Sequence, residues 1–527
     1  MFRRFAAVIL SAILLSPGWL GVTGMTLLVG FVPLLWISAS YDDTRRSWWG
    51  MFGWAALAFV LWNAMTIWWI WYATPVGPPA ATLASTTMNM IAFMLFHTVS
   101  KKAPKALAYV TLVTAWITTE YWYTVGDFSW PWLILGNGFS HEVWAVQWYE
   151  YTGVFGGTLW VLLSNILIFE ALRTRSARRW IAAACIVIVP MAVSLAIRGS
   201  WKQPGEGAVA VSVIQPNVDC YDKFHGDVQR QERNIADLLA EVPAGAQFIL
   251  LPETAVPGDY LEPGLSDFYS AGEPGAFWQE LTDSLRSRHP EALLITGAGT
   301  IRRYPAGAQT ETARPERFGN GYFDRFNTAV GLDSAGRTQL HHKGRLVIGV
   351  ENTPTWVFDV LKFLVIDLGG TVGQIGKGLH GTAFEHNGVK AGPAICYEGL
   401  YGDFYGGFVR RGAQFMAIIS NDGWWRDTPG HRYLFAYSRL RAVENRRSIA
   451  RSANTGISGF IDQRGDVLQK LGWDQRGALT DSLSLNDRMT FYTRYGDVIG
   501  RVSSYVFVLG LLYFMAYRFR RKSHIVD

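Results

Sequence analysis

Hydrophobic positions fall into two regimes along this chain. Over roughly the first 200 residues they form long runs, at about 5–18, 20–38, 51–72, 83–99, 106–124, 155–172 and 180–197. One more runs from Ser503 to Tyr517. Most approach the ~20 residues that a helix needs to span a bilayer. Basic residues follow runs two, four and six, as Arg45-Arg46, Lys101-Lys102 and Arg173 to Arg179. The connections after runs one, three and five carry no Lys or Arg. Both ends are basic, with Arg3-Arg4 at one and Arg518-Phe-Arg-Arg-Lys522 at the other. Short basic loops stay on the cytoplasmic side, and every basic segment lands there only if all eight runs cross. The expectation is an α-helical membrane bundle of about eight transmembrane helices. Residues 1–198 would supply seven and 501–527 the eighth plus a basic cytoplasmic tail, with 199–500 on the outer side. The first run is short enough for a signal peptide. Ser16-Pro-Gly-Trp-Leu20 is a weak cleavage site, however, so an uncleaved helical hairpin is preferred.

From Val209 the pattern changes to short strand-like runs: Val209–Ile214, Phe248–Leu251, Leu293–Gly297, Thr328–Leu332, Pro393–Cys396, Met416–Ser420 and a hairpin near Ser448–Asp466. Asp462-Gln-Arg-Gly465 is the expected hairpin turn. Helical periodicity lies between them, at Val228–Glu241 and Arg432–Arg446, which predicts a layered α/β domain. Two segments depart from that core. Residues 352–378 contain the apolar stretch Trp356 to Val365, too short to span; it is a buried helix or an interfacial arm. Tyr304–Gly321 is polar and rich in Pro and Gly, a surface loop. In the outer connection between runs five and six, Phe128-Ser-Trp-Pro-Trp132 is joined by Trp144, Trp148, Tyr149 and Tyr151. They form an aromatic belt or a surface facing lipid and the outer domain.

Composition agrees: half of the 527 residues are hydrophobic and only 17% are charged, against about 25% in soluble proteins. The net charge of +6 does not mark a polyanion-binding surface. Fifteen of the 48 bases, with three of the 42 acids, sit in the loops and tails beside apolar runs. The remainder carries 33 bases against 39 acids, so no nucleic-acid partner is expected. Three cysteines, Cys185, Cys220 and Cys396, exclude a disulfide framework. Cys220 and Cys396 could pair in an oxidising compartment, but Cys396 has a better use.

Three segments carry candidate chemistry. Leu250-Leu-Pro-Glu-Thr-Ala-Val-Pro257 sets Glu253 at the end of an apolar strand, where desolvation raises a carboxylate toward a general base's working range. His341-His-Lys-Gly-Arg-Leu-Val-Ile-Gly-Val-Glu351 offers Lys343 and Glu351. Ala391-Gly-Pro-Ala-Ile-Cys-Tyr-Glu-Gly-Leu400 ends a strand in Cys396, the one candidate thiolate nucleophile. A thiol needs a base for its proton and a cation or donor for the oxyanion that follows. Taken singly, each has an ordinary alternative: a strand-end cap, a solvated lysine, a core cysteine. The chain shows no metal-ligand spacing, Gly-rich phosphate loop or Gly-x-Ser-x-Gly.

Glu253 in Pro-Glu-Thr-Ala, Lys343 in His-His-Lys-Gly-Arg-Leu-Val and Cys396 in Ala-Ile-Cys-Tyr-Glu resemble, in that order, the Glu-Lys-Cys triad of the nitrilase (carbon–nitrogen hydrolase) superfamily. The resemblance covers about 205–480 and implies an αββα sandwich. With the enclosing spans, the chain resembles one branch of that superfamily, the apolipoprotein N-acyltransferases, in a Bacteroides-like form. Val213-Ile-Gln-Pro-Asn217, Ser420-Asn-Asp-Gly-Trp-Trp425, Arg451-Ser-Ala-Asn-Thr-Gly-Ile457 and the Phe128–Trp132 loop agree. Gly349-Val-Glu-Asn-Thr-Pro354 departs from the usual Pro-Phe-Gly-Glu pattern, and Phe224 stands where others carry Trp.

The resemblance implies acyl transfer in two steps. Glu253 would deprotonate Cys396, which attacks a phospholipid ester while Lys343 and the Tyr397 N–H hold the oxyanion. The acyl thioester then passes to the N-terminal amine of a diacylglyceryl lipoprotein. Glu351 would orient Lys343 or Glu253, Glu398 would help hold the second site, and Trp424 would support it. No metal or other cofactor is implied. A monomer in the bacterial inner membrane, with its catalytic domain periplasmic, is expected. The alternatives are a membrane-tethered amidase acting on a soluble C–N substrate and a non-enzymatic scaffold or transporter.

Overall fold

The computed structural model of the protein describes residues 1–126, 129–203, 207–221, 223, 226–268, 275–316, 320–348, 350–352 and 374–526. The expected arm or buried helix at 352–378 lies almost wholly outside these residues, as do Phe128 and Phe224. The chain divides into two compact units, Met1–Trp201 with Tyr495–Asp527, and Lys202–Arg494.

The first unit is helical. Among the described residues, six helices are long and apolar enough to cross a membrane: Phe2–Trp19, Arg45–Tyr72, Gly77–Lys102, Val154–Thr174, Ala177–Ser200 and Val498–Arg520. The expected count of eight is not confirmed, because the other two runs fall short of that measure. The second apolar run is a broken helix over Leu27–Ala39, about 20 Å at 1.5 Å per residue, short of a ~30 Å hydrocarbon core. The fifth is long enough at Lys105–Val125, but Lys105, Glu120 and five threonines dilute its apolar character.

The aromatic connection after it folds inward in part. Its backbone makes three short 3-10 turns, Pro131–Leu133, Leu135–Phe139 and Val143–Ala145. Trp132 is buried edge-on against Trp69, and buried Tyr149 donates to the Gly136 carbonyl. Trp144 and Tyr151 remain exposed. Non-helical backbone inside a membrane bundle needs partners. Glu120 supplies one, accepting from Leu135 N, Trp116 Nε1 and Thr158 Oγ1.

The second unit holds fifteen strands among the described residues. They are β1 (Ala208–Gln215), β2 (Phe248–Leu250), β3 (Val256–Leu261), β4 (Ser266–Asp267), β5 (Leu293–Tyr304), β6 (Arg314–Pro315), β7 (Tyr322–Asp333), β8 (Thr338–His342), β9 (Phe384–His386), β10 (Val389–Ile395), β11 (Phe415–Ser420), β12 (Ile449–Ala453), β13 (Ser458–Ile461), β14 (Val467–Leu471) and β15 (Gly477–Ser484). One sheet runs β15-β1-β2-β5-β3-β4, with β7 along β5 and β8 and β6 on β7. The other runs β14-β13-β12-β11-β10-β9.

Inward-facing residues of both sheets form one core. Val211, Val213, Phe248, Leu250 and Ile295 of the first meet Ala391, Ile395, Phe415, Ala417 and Ile419 of the second. Alternate residues of the same strands face outward. Ile249, Leu251, Leu294 and Val330 pack against the helices Val228–Ala240 and Ala276–Arg288. Ala394, Met416, Ile418 and Ile449 pack against Gly402–Arg410 and Pro429–Asn445. This period-two division makes a four-layer αββα sandwich. The expected hairpin needs one correction. β12 and β13 do pair antiparallel, but the turn Asp462–Gly465 joins β13 to β14, with Gly465 N donating to the Asp462 carbonyl.

Candidate active site

The parallel strands β2, β10 and β11 all end at the same edge of the sandwich, and each delivers a polar group there. β2 is followed by Leu251-Pro252 and then Glu253. Buried Glu253 accepts from Lys343 Nζ at 2.8 Å and Asn327 Nδ2 at 2.8 Å through Oε1. Through Oε2 it accepts from the Asn421 N–H at 3.1 Å. Lys343 directly follows β8 and is 1% exposed. Its ammonium donates also to Glu351 Oε1 at 2.9 Å. Glu351 in turn accepts from Asn327 Nδ2 at 3.0 Å and from the Val347 N–H at 2.9 Å. Asn327, on β7, thus bridges both carboxylates.

β10 stops at Ile395, and Cys396 begins a 3-10 turn over Cys396–Leu400. Its φ of +46° is left-handed, rare for a residue with a side chain and a mark of local strain. The turn leaves the residue half-buried, with its thiol hydrogen-bonded to the Glu253 carboxylate. Cys220 is a separate, buried free thiol.

Electrostatics set the resting proton. Burial pushes the Cys396 thiol up, the Glu253 charge adds to this, and Lys343 opposes without prevailing. Burial also pushes Glu253 up. The Lys343 ammonium, with hydrogen bonds from Lys343, Asn327 and Cys396, outweighs it, so the carboxylate sits below its ordinary range. The expected raised carboxylate is therefore reversed in sign, because a buried cation lies 2.8 Å away. For Lys343, burial is more than offset by Glu253 and Glu351, and its pKa rises well above the usual lysine value. The resting pair is a neutral thiol donating to a carboxylate. Its proton would move as the sulfur attacks.

Of the supporting residues, Glu351 joins Glu253, Lys343 and Cys396. Glu398 lies behind them. Its carboxylate accepts from the Ile395 N–H at 2.7 Å, the Gly344 N–H at 2.6 Å and His341 Nε2 at 3.1 Å, tying the Cys396 turn to the segment bearing Lys343. Tyr397 is buried edge-on against Tyr401. Trp424 lies in the turn Gly423–Trp425, with its ring edge-on to Tyr221 at 5.5 Å. Sequence reasoning missed Asn327 and buried Lys223, whose ammonium donates to the Glu253 carbonyl at 2.7 Å. Neither has a motif around it: Asn327 is one polar position within β7, and Lys223 is merely near the quoted Val213–Asn217 segment.

The Carbon-nitrogen hydrolase family matches residues 210–490, and the Apolipoprotein N-acyltransferase N-terminal domain family matches 11–167. An apolipoprotein N-acyltransferase of Chlorobaculum tepidum is 28% identical over 95% of this chain and 94% of its own length. Apolipoprotein N-acyltransferases of Geobacter metallireducens and Gloeobacter violaceus are each 26% identical. The first alignment covers 77% of this chain and 74% of the relative, the second 92% and 82%. The chain belongs to the carbon–nitrogen hydrolase family, joining that domain to an apolipoprotein N-acyltransferase N-terminal domain in one membrane protein.

Proposed function

We propose that this enzyme moves an acyl chain from a membrane phospholipid to the N-terminal amine of a diacylglyceryl-cysteine lipoprotein, through a thioester on Cys396. The observation that carries the chemistry is the convergence of one thiol, one carboxylate and one ammonium at the ends of β2, β8 and β10. Its lipoprotein class comes from the named relatives and from the membrane helices that accompany the site.

In the first step the Cys396 S–H proton passes to Glu253 as sulfur bonds to the ester carbonyl carbon. Lys343, with the backbone N–H of Tyr397, stabilises the oxyanion. The tetrahedral adduct collapses, the ester C–O bond breaks, and the leaving lysophospholipid oxygen takes the proton from Glu253. In the second step the acceptor amine attacks the thioester and gives a proton to Glu253. The C–S bond breaks, and the proton returns to sulfur. Glu351 keeps Lys343 aligned through the same ammonium that Glu253 uses. The ester supplies the driving force, so no other cofactor enters the sequence. Both substrates are lipids, and burying acyl chains contributes about 0.8 kcal/mol per CH₂, which favours a membrane-anchored catalyst. The basic loops support a multi-pass placement in a bacterial inner membrane, with the catalytic unit periplasmic and both termini cytoplasmic. A monomer suffices for this chemistry.

The test uses purified full-length protein in detergent with phospholipid and no acceptor. Intact-mass analysis should show one added acyl chain, mapped to Cys396 and absent from Cys396→Ala. A wild type that gains no adduct, yet releases ammonia from small amides, would replace this reading with that of an amidase.

A further inference from the structure

One buried charge beside the site has no part in the reaction above. Lys223 lies between β1 and the helix Val228–Ala240 and is only 6% exposed. Its backbone is held on both sides, N–H to the Asp219 carbonyl at 2.9 Å and C=O from Gln231 Nε2 at 3.0 Å. Its ammonium donates at 2.7 Å to the main-chain carbonyl of Glu253. That carbonyl also accepts from Thr254 Oγ1 at 2.8 Å. The turn so gripped is strained, because Thr254 has φ +49°. It is also crowded from behind: a Cβ at Gly297 would lie 2.3 Å from Thr254 N and 2.7 Å from Glu253 Cα.

Charge points the same way as geometry. Glu253 and Glu351 are two carboxylates sharing one ammonium, Lys343. Lys223 is a second cation against Glu253. Among the described residues, the titratable groups that face it are Glu253 and Cys220. Burial holds Lys223 down to about 8, while Glu253 and Cys220 both pull it back up. Burying an ammonium is strongly unfavourable unless a partner compensates, and Glu253 is the charged partner here.

We infer that Lys223 is a positioning residue for the base: its ammonium fixes the Glu253 main chain and keeps the Glu253 carboxylate ionised. This rests on reading Glu253 as the base for Cys396. Removing the cation leaves Glu253 easier to protonate, so its help to Cys396 is lost at a higher pH. An opposite charge beside a carboxylate lowers its pKa, which fixes the sign of the effect; Lys343 is the larger cationic influence on that carboxylate.

The experiment is lipid-free. Full-length protein in detergent is alkylated with iodoacetamide from acid to mildly alkaline pH, and modification of Cys396 is read by peptide mass. In Lys223→Met the acid limb of the profile should move to higher pH. Lys223→Arg, which keeps the charge, should restore most of it. A mere structural brace would lower the plateau rate in both variants and leave the limb in place. An unmoved limb in Lys223→Met, or an equal shift in Lys223→Arg, overturns the inference. Should Lys223→Met fail to fold, Lys223→Gln, also neutral, is read by the same criteria. Acylation by phospholipid is measured alongside. A shifted limb in protein that takes up no acyl chain would remove the acyl-transfer reading and leave this one intact. Normal acylation with an unmoved limb would do the reverse.

Discussion

Glu253 is held in place by groups that leave little slack. Its side chain meets Lys343, Asn327 and the Asn421 N–H, and its carbonyl meets Lys223 and Thr254. Gly297 completes the seat, since Gly297 N donates to the Pro252 carbonyl and its missing Cβ makes room for the turn. Gly297→Ala should therefore push the Glu253 turn outward. The expected outcome is a loss of about 1–3 kcal/mol in stability with Cys396 acylation down at least about 100-fold. Thermal unfolding and the adduct assay check it, and unchanged acylation would refute the seat. Glu253 and Cys396 could be read from sequence because each ends an apolar run, where a strand stops and a side chain meets solvent or a cleft. Lys343 follows the polar Thr338–His342 and was legible only through the resemblance of the three segments together. Asn327 could not, being one polar position within a strand, and Lys223 sits in a connection without periodicity. The lowered Glu253 pKa was equally hidden, because it depends on a lysine ninety residues away.

At the scale of elements, Glu398 couples two of them. It takes one N–H from the end of β10 and one from Gly344 just past Lys343. Glu398→Gln replaces one acceptor oxygen with an amide NH₂ facing a buried donor. Hydrogen bonds to charged groups are worth about 1.5–3 kcal/mol, so unfolding should become easier by that order. Acylation should slow through kcat more than KM, since the change loosens the geometry between Lys343 and Cys396 and leaves lipid contacts alone. A variant matching wild type in both measurements would show that the coupling is unimportant. Strands with a buried inner face, such as β2, β5 and β11, were legible because their apolar runs are continuous. β14 and β15 were not: their residues are mostly exposed or half-buried, so no apolar run marks them. The sequence marks the turn at Asp462–Gly465 but not which pair of strands it joins.

For the whole molecule, hydropathy and loop charge gave the division into membrane and α/β parts, but helix number was less legible. Run length cannot separate a continuous helix from the broken one over Leu27–Ala39. The proposed sidedness has a direct check. A protease site inserted after Gln309, in an exposed loop, should be cut from outside in spheroplasts. One inserted after Arg175 should be cut only in inverted vesicles. The opposite pattern would invert the topology and leave the catalytic unit on the wrong side for the proposed acceptor.

β1 and β15, the first and last strands of the α/β unit, pair antiparallel from Ala208 opposite Ser484 to Gln215 opposite Gly477. The sandwich therefore starts and finishes on neighbouring strands, with Ala208 and Ser484 about 5 Å apart. A module with neighbouring ends can be spliced into the loop of another protein with little added loop-closure entropy. The unit is thus built as a cassette: its sandwich can sit in the connection between two helices with its interior unchanged.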